Sequence, residues 1–155
     1  MGGVAQMSES VRQAARDYLA AHQVMTVATQ GPEGIWAAAV FYANNGFDLF
    51  FLSAAHTRHG KNMAADATVA ATIQEDYEDW PAIQGIQLEG QVSLLAGQQR
   101  AAAVAHYLRK YPFMAQSDPQ IIRAVAKVNW YRLRPSRVYF IDNSKGLGHR
   151  DEVAL

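Results

Sequence analysis

The chain has 155 residues, half of them hydrophobic and 18% charged, and its formal net charge at pH 7 is zero. This composition is typical of one globular domain with its own core, and the zero net charge argues against a nucleic-acid-binding protein. The absence of cysteine excludes thiol catalysis, disulfides and iron–sulfur ligation.

The predicted organisation is a single domain over residues 1–155, with 1–7 as an extension and 143–155 as a tail. No apolar run approaches the roughly 18–20 residues of a membrane span, and the N-terminus does not read as a secretory signal. We therefore expect a cytoplasmic protein without a membrane partner.

Hydrophobic periodicity predicts a helix first and short strands after it. Ser8 is a suitable N-cap for a helix that places Val11, Tyr18 and Leu19 on one buried stripe. Three runs rich in β-branched and aromatic residues follow, separated by the turn sequences GPEG and NNG: VMTVATQ, IWAAAVFYA and FDLFFLS. Strands joined by two tight turns predict an antiparallel meander.

The rest of the chain mixes strands and helices. TVAATIQ and IQGIQLEGQVSLL predict two strands, the second bent at Gly85 and Gly90, and WYRLRPSRVYFID predicts a sixth strand kinked at Pro135. Three further helices are predicted in TRHGKNMAAD, GQQRAAAVAHYLRKYP and DPQIIRAVAKV. The pattern favours a mainly β fold with inserted helices, a closed or nearly closed antiparallel barrel of six strands.

The stretch HTRHGKN, residues 56–62, concentrates the chemistry of the chain. His56 and His59 lie on one side of a helix, but a metal normally needs three or four protein ligands. Arg58 and Lys61 also oppose a bound divalent ion, so we expect no metal site.

The same stretch can bind an anion, because the N-terminus of a helix carries free N–H groups and partial positive charge. Arg58 offers a fork that matches phosphate oxygens, Lys61 adds a point charge, and the hydroxyl of Thr57 can donate. Gly60 permits close approach of the backbone, and His59 can donate or carry charge beside an anion. A solvated first turn without function is the alternative, and composition leaves both open.

The segment FFLSAAHTRHGKNMAADATVAATI resembles the flavin-binding segment of the pyridoxamine 5′-phosphate oxidase-like family, the FMN-binding split barrels. Residues 57–60 stand at the family's phosphate-gripping positions, and IQLEGQVSLL resembles its long glycine-containing strand. The resemblance runs from about Val24 to Asp142, and small single-domain members of unassigned activity are the most similar. His59 stands where the oxidase has Lys, and Ala37 and Tyr42 fall roughly where it has Arg and Lys.

The resemblance implies a split β-barrel that binds FMN as a homodimer, with both chains lining each flavin. It implies a cofactor site formed by the following residues: Tyr42, Ser53, Thr57, Arg58, His59, Gly60, Lys61 and Gln87. The reaction expected is an oxidoreduction with a small-molecule substrate or a nicotinamide reductant. No residue stands out as a catalytic acid or base, and oxidation of pyridoxamine phosphate is not implied, because the oxidase's substrate residues have no match.

Two alternatives remain open at the level of sequence. One is a non-catalytic carrier or sensor of FMN or haem, which the lack of a proton donor favours. The other is a reductase that uses the deazaflavin F420, as related split barrels do. The glycine-punctuated tail, residues 143–155, either folds over the cofactor or is a frayed end.

Overall fold

The computed structural model describes residues 2–155. Its strands are Val24–Gly31 (β1), Gly34–Phe41 (β2), Ala43–Asn45 (β3), Asp48–Ser53 (β4), Thr68–Gln74 (β5), Gln84–Leu94 (β6), Asn129–Asp142 (β7) and Arg150–Glu152 (β8). Its α-helices are Gly2–Ala21 (α1), Arg58–Ala65 (α2), Gly97–Lys110 (α3) and Pro119–Lys127 (α4), with short 3-10 turns at Trp80–Ala82, Pro112–Gln116 and Asn143–Lys145.

The strands form one antiparallel sheet in the order β2-β1-β5-β6-β7-β4-β3, with β8 paired to β7. The sheet curls into a split barrel, which confirms the predicted fold class. There are eight strands and not six because the run 35–43 is divided in two and the tail adds β8.

The predicted three-strand meander is wrong. β1 lies between β2 and β5, whereas β4 lies between β3 and β7, so the second and third predicted strands separate to opposite ends of the sheet order. The division occurs at Tyr42, whose side chain is fully buried and whose N–H donates to the carbonyl of Gln23 over 2.9 Å. A side chain drawn into the core at this point redirects the chain from one end of the sheet order to the other.

Alternation along β1 places Met25 and Val27 inside the barrel, where helix α1 covers them with Tyr18 and Leu19. The predicted helical stripe is therefore confirmed, but the N-cap prediction at Ser8 is wrong, since α1 already begins at Gly2. Of the predicted extension, Met1 lies outside the described residues and 2–7 belong to α1.

The predicted bends in the long strands are confirmed at Gly90 and Pro135. The β6–β7 register shifts beside Gly90, where a Cβ would lie 2.3 Å from the carbonyl oxygen of Arg134. The tail is part of the barrel rather than a frayed end, because Val153 is buried and its N–H donates to Val138 over 2.9 Å. Within residues 2–155, no helix combines the length and apolar character needed to cross a bilayer.

Candidate functional site

The first turn of helix α2 is shaped by Thr57, which caps it as predicted. Its Oγ1 accepts from the N–H of Gly60 over 3.0 Å and donates to the carbonyl of Ala54 over 2.8 Å. A Cβ at Gly60 would lie 2.7 Å from that carbonyl oxygen, so only glycine lets the preceding loop pack on the helix. The one hydroxyl hydrogen of Thr57 is thus used within the chain, and the free backbone donors of the first turn are the N–H groups of Arg58 and His59.

Ser53 connects the end of strand β4 to this turn. Its Oγ lies 2.5 Å from His59 Nε2 and 3.2 Å from Thr57 Oγ1. Burial lowers the pKa of His59 below its ordinary value, since the charged imidazolium loses solvation. His59 is therefore mostly neutral near pH 7 when no anion is bound.

Arg58 reaches back to the β1–β2 turn. Its guanidinium carbon lies 4.5 Å from the ring centroid of Trp36, and its Nη2 donates to the carbonyl of Glu33 over 2.9 Å. Its Nε is buried and has no hydrogen-bond partner among the described residues. Stacking on an indole face holds a guanidinium in place at little entropic cost while its charge remains available.

The charge of this turn is not neutralised by the chain. Between residues 56 and 61, no side chain forms a salt bridge with any carboxylate in the described part of the protein. His56 and Lys61 are exposed to solvent. Cationic side chains therefore surround the N-terminus of α2 without a counter-ion, an arrangement that suits an anionic ligand.

The structure does not bring all eight predicted site residues together. Six of them, Ser53 and Thr57 through Lys61, cluster at the turn. Tyr42 has no exposed surface: its hydroxyl donates to the Leu19 carbonyl over 2.7 Å, and its ring lies 4.2 Å from Lys110 Nζ. A side chain so placed contributes to the core and offers no surface to a ligand.

Gln87, the eighth predicted site residue, lies on strand β6 and away from the α2 turn in the sheet order. A row of directly opposed residues runs across the sheet from Ala39 through Thr26 and Thr72 to Gln87 and Tyr139. Opposed residues share a face of the sheet, and here it is the outer face, because the alternate residues of β1 are buried. Gln87 is exposed there, separated from β1 by strand β5.

The outer face ends in an uncovered apolar strand. Along β2, Ile35 is 74% and Phe41 is 52% exposed, and the alanines between them on the same face, Ala37 and Ala39, are also exposed. Apolar side chains grouped in this way on a sheet edge are typical of a surface that meets a partner.

Sequence reasoning missed two residues that organise the site. Asn62 is 2% exposed and donates from Nδ2 to Thr29 Oγ1 over 3.1 Å, which attaches α2 to β1. Trp36 contacts Arg58, and this contact joins residues 22 positions apart. Neither pairing has a local sequence signal, because both depend on how β1 and β2 pass beneath α2.

Comparison with known proteins agrees with the split-barrel fold. A family model for pyridoxamine 5′-phosphate oxidase matches residues 11–142. A UPF0306 protein of Photorhabdus laumondii is 30% identical over 135 residues, which is 86% of this chain and 88% of that relative.

Solved structures of similar fold include a heme binding protein from Mycobacterium smegmatis, with a TM-score of 0.75 and 25% identity over 93% of this chain. This chain spans 57% of that protein's length. The heme storage protein HutZ of Vibrio cholerae has a TM-score of 0.69 and 14% identity, and the match covers 83% of this chain and 92% of HutZ. With a family match that spans most of its length, the chain belongs to the pyridoxamine 5′-phosphate oxidase family.

Proposed function

We propose that the protein is an FMN-binding oxidoreductase whose substrate is a small molecule, with the flavin phosphate at the first turn of α2. The observation that carries the proposal is the group of cations at this helix N-terminus that has no carboxylate partner in the described chain. Arg58 fits an anion for a second reason, since its buried Nε lacks an acceptor.

Each residue of the turn has a defined part in holding the phosphate. Arg58, held by Trp36, supplies a charged fork, and Lys61 supplies a second charge one turn later. The first-turn N–H groups add donors, while Thr57 and Gly60 keep the loop in the shape that exposes them. The flavin, when bound, supplies the redox chemistry, and the protein positions it and excludes water.

A homodimer is part of the same proposal. The exposed apolar surface of β2 needs a cover, and a two-fold partner supplies one at little cost. Because Gln87 belongs to the same outer face, a partner laid on that face carries its own Gln87 toward the site. This arrangement accounts for a predicted site residue that, within one chain, lies two strands away from β1, the strand to which α2 is attached.

Haem is the second candidate ligand, favoured by the likeness to the Mycobacterium smegmatis heme binding protein. A haem iron needs an axial ligand from the protein, and exposed His56, two residues before Arg58, is suitably placed along the chain. In this alternative, the cations of the turn would pair with the haem propionates, and the protein would carry or sense the cofactor.

Spectra of the purified protein titrated with FMN, F420 and hemin separate the candidates. We expect FMN to bind, Arg58→Ala and Lys61→Ala to weaken it by about tenfold or more, and riboflavin, which lacks the phosphate, to be unaffected by either change. Arg123→Ala, an exposed cation on α4, is the matched control. If the protein instead binds hemin tightly, loses that binding in His56→Ala and does not bind FMN, the haem carrier is favoured over the flavin enzyme.

Two further measurements test the remaining parts. Stopped-flow reduction of the bound flavin by NADH or NADPH distinguishes an enzyme from a carrier. Ala39→Arg places a charge on the outer face, and light scattering should then show monomers with weakened FMN binding. If Ala39→Arg remains a dimer, the two chains meet at a surface other than the outer face of β2.

A further inference from the structure

A cavity unrelated to the α2 site lies beneath helix α4. Its volume is ≈490 Å³, and nine of its ten lining residues are apolar, including Val104, Leu108, Ile122 and Trp130. Ligand pockets of proteins have volumes of about 300–1,000 Å³ and are mostly apolar with a few placed polar groups. The one charged residue in this wall is Arg100.

Helix α4 covers the cavity and packs only partly on the protein, where Val125 contacts the hydrophobic cluster around Trp130. None of its nine residues is buried, and Ile121 and Ile122 remain 54% and 45% exposed. An isolated helix of this length is unstable in water. It is held at its start by Asp118, which accepts from the N–H of Gln120 over 2.7 Å, and at its end by Arg100.

The guanidinium of Arg100 has N–H donors that remain without an acceptor in the described part of the chain. Its Nη2 donates to the carbonyls of Ala126 over 2.7 Å and Val128 over 3.4 Å, which closes the end of α4. Its Nε and Nη1 make no hydrogen bond, and the side chain pairs with no carboxylate, within the part of the chain that the structure covers.

The segment that forms most of the cavity wall is basic, and Arg100 is the charged residue of this segment that lines the cavity. Residues 97–128, which form α3, α4 and the turn between them, carry five Lys and Arg residues and a single acid, Asp118, although the whole chain is neutral. A ligand complementary to this surface therefore has a long apolar part and a negative end.

We propose that the cavity binds a single-chain amphiphilic carboxylate such as a medium-chain fatty acid. The alkyl chain lies between α3 and α4 against Trp130, and the carboxylate pairs with the free N–H groups of Arg100. Binding buries the apolar face of α4, which explains why a short amphipathic helix is kept over an uncovered wall. No residue of the α2 turn lines this cavity, so the inference does not depend on the flavin proposal.

Calorimetric titration with octanoate, decanoate and 1-decanol tests the proposal on the unmodified protein. Each buried methylene should tighten binding about fourfold, so decanoate should bind about 15-fold more tightly than octanoate. The uncharged 1-decanol should bind at least about tenfold more weakly than decanoate. Arg100→Gln should remove the preference for decanoate over decanol, whereas Arg123→Gln, at an exposed position of α4, should keep it.

Four results would overturn the proposal: no decanoate binding at millimolar concentration, equal affinity for decanol, no gain from octanoate to decanoate, or binding only to vesicles of anionic phospholipid. A conversion from dimer to monomer in Ile122→Asp, without decanoate binding to the parent protein, would show that a second copy covers α4. Because the ligand series uses the parent protein, the test stands even if Arg100→Gln is poorly folded.

Discussion

Asn62 on helix α2 and Thr29 on strand β1 form a hydrogen bond of 3.1 Å, with each side chain only 2% exposed. Gly31 makes room for it, since a Cβ there would lie 2.1 Å from Asn62 Oδ1. This contact attaches the helix to the barrel directly below the turn that carries Arg58 and Lys61. The buried amide of Asn62 therefore helps to fix the position of the cationic turn.

We expect Asn62→Leu to lower the free energy of unfolding by about 1–3 kcal/mol. Leucine has a similar volume but leaves Thr29 without its donor in a site that water does not reach. Denaturant unfolding followed by circular dichroism measures the change, and the slope with denaturant should stay constant.

Gln91→Met is the matched control, because Gln91 Nε2 donates to Thr68 Oγ1 over the same 3.1 Å at an exposed position. Water replaces that bond when it is lost, so the free energy of unfolding should change by less than about 0.5 kcal/mol. Equal effects in the two variants would mean that burial of the Asn62 amide has no energetic consequence.

Features with local causes could be predicted from the sequence. The cap at Thr57 follows from the preference of a helix start for a hydroxyl acceptor. The NNG turn follows from the preference of tight hairpin turns for glycine where φ is positive, and φ at Gly46 is 59°. The bend at Gly90 likewise reflects a close backbone approach that only glycine allows.

Features that depend on distant parts of the chain could not be predicted. Reading residues 35–43 as one strand overlooked that Tyr42 is drawn into the core by bonds to Gln23 and Leu19. Family likeness similarly predicted Tyr42 and Gln87 at the cofactor; the fold buries Tyr42, and it leaves Gln87 exposed on the predicted long strand, with β5 between it and β1. Sequence spacing does not reveal which distant strands become neighbours.

The C-terminal tail should contribute to stability, in contrast to a frayed end. Val153 is 3% exposed within the main core, so Val153→Ala should cost about 2 kcal/mol of unfolding free energy. Leu155→Ala, at a residue 53% exposed, should change it by less than about 0.5 kcal/mol. Similar values for the two would show that β8 is detached in solution.

Lys110 should make the protein more stable in mild alkali. Burial lowers its pKa to about 8, although Nζ donates to the carbonyls of Leu19 and His22. Above that pH the unfolded chain, with a lysine pKa of about 10.4, binds more protons than the folded one, so stability rises with pH. We expect the free energy of unfolding to increase between about pH 8 and 9.5, with a slope below about 1.4 kcal/mol per pH unit.

Lys110→Met should abolish this rise, whereas Lys127→Met, at an exposed site, should retain it. The upper limit of the window comes from buried tyrosines such as Tyr107, whose pKa burial raises to about 12. Those phenols favour the unfolded chain once its own tyrosines ionise near about pH 10. Stability that falls steadily from pH 8 in the parent protein would contradict the assignment to Lys110.

His59 should make the binding of FMN depend on pH if the phosphate sits at the α2 turn. Burial lowers the pKa of the free imidazole, and a bound anion favours its charged form, so binding takes up a proton. Affinity should therefore increase as pH falls from about 8 toward about 5.5, a range in which histidine gains charge. His59→Lys, which restores the residue of the oxidase at this position, should bind FMN more tightly at neutral pH.

The phosphate of FMN also titrates, with a second pKa of about 6, and this would weaken binding in acid for both proteins. The ratio of affinities between His59→Lys and the parent protein cancels that contribution, and we expect it to shrink toward unity as pH falls. Riboflavin, which has no phosphate, should show no such convergence. A ratio independent of pH would mean that His59 does not contact the phosphate, and that its hydrogen bond to Ser53 serves only to join the helix to β4.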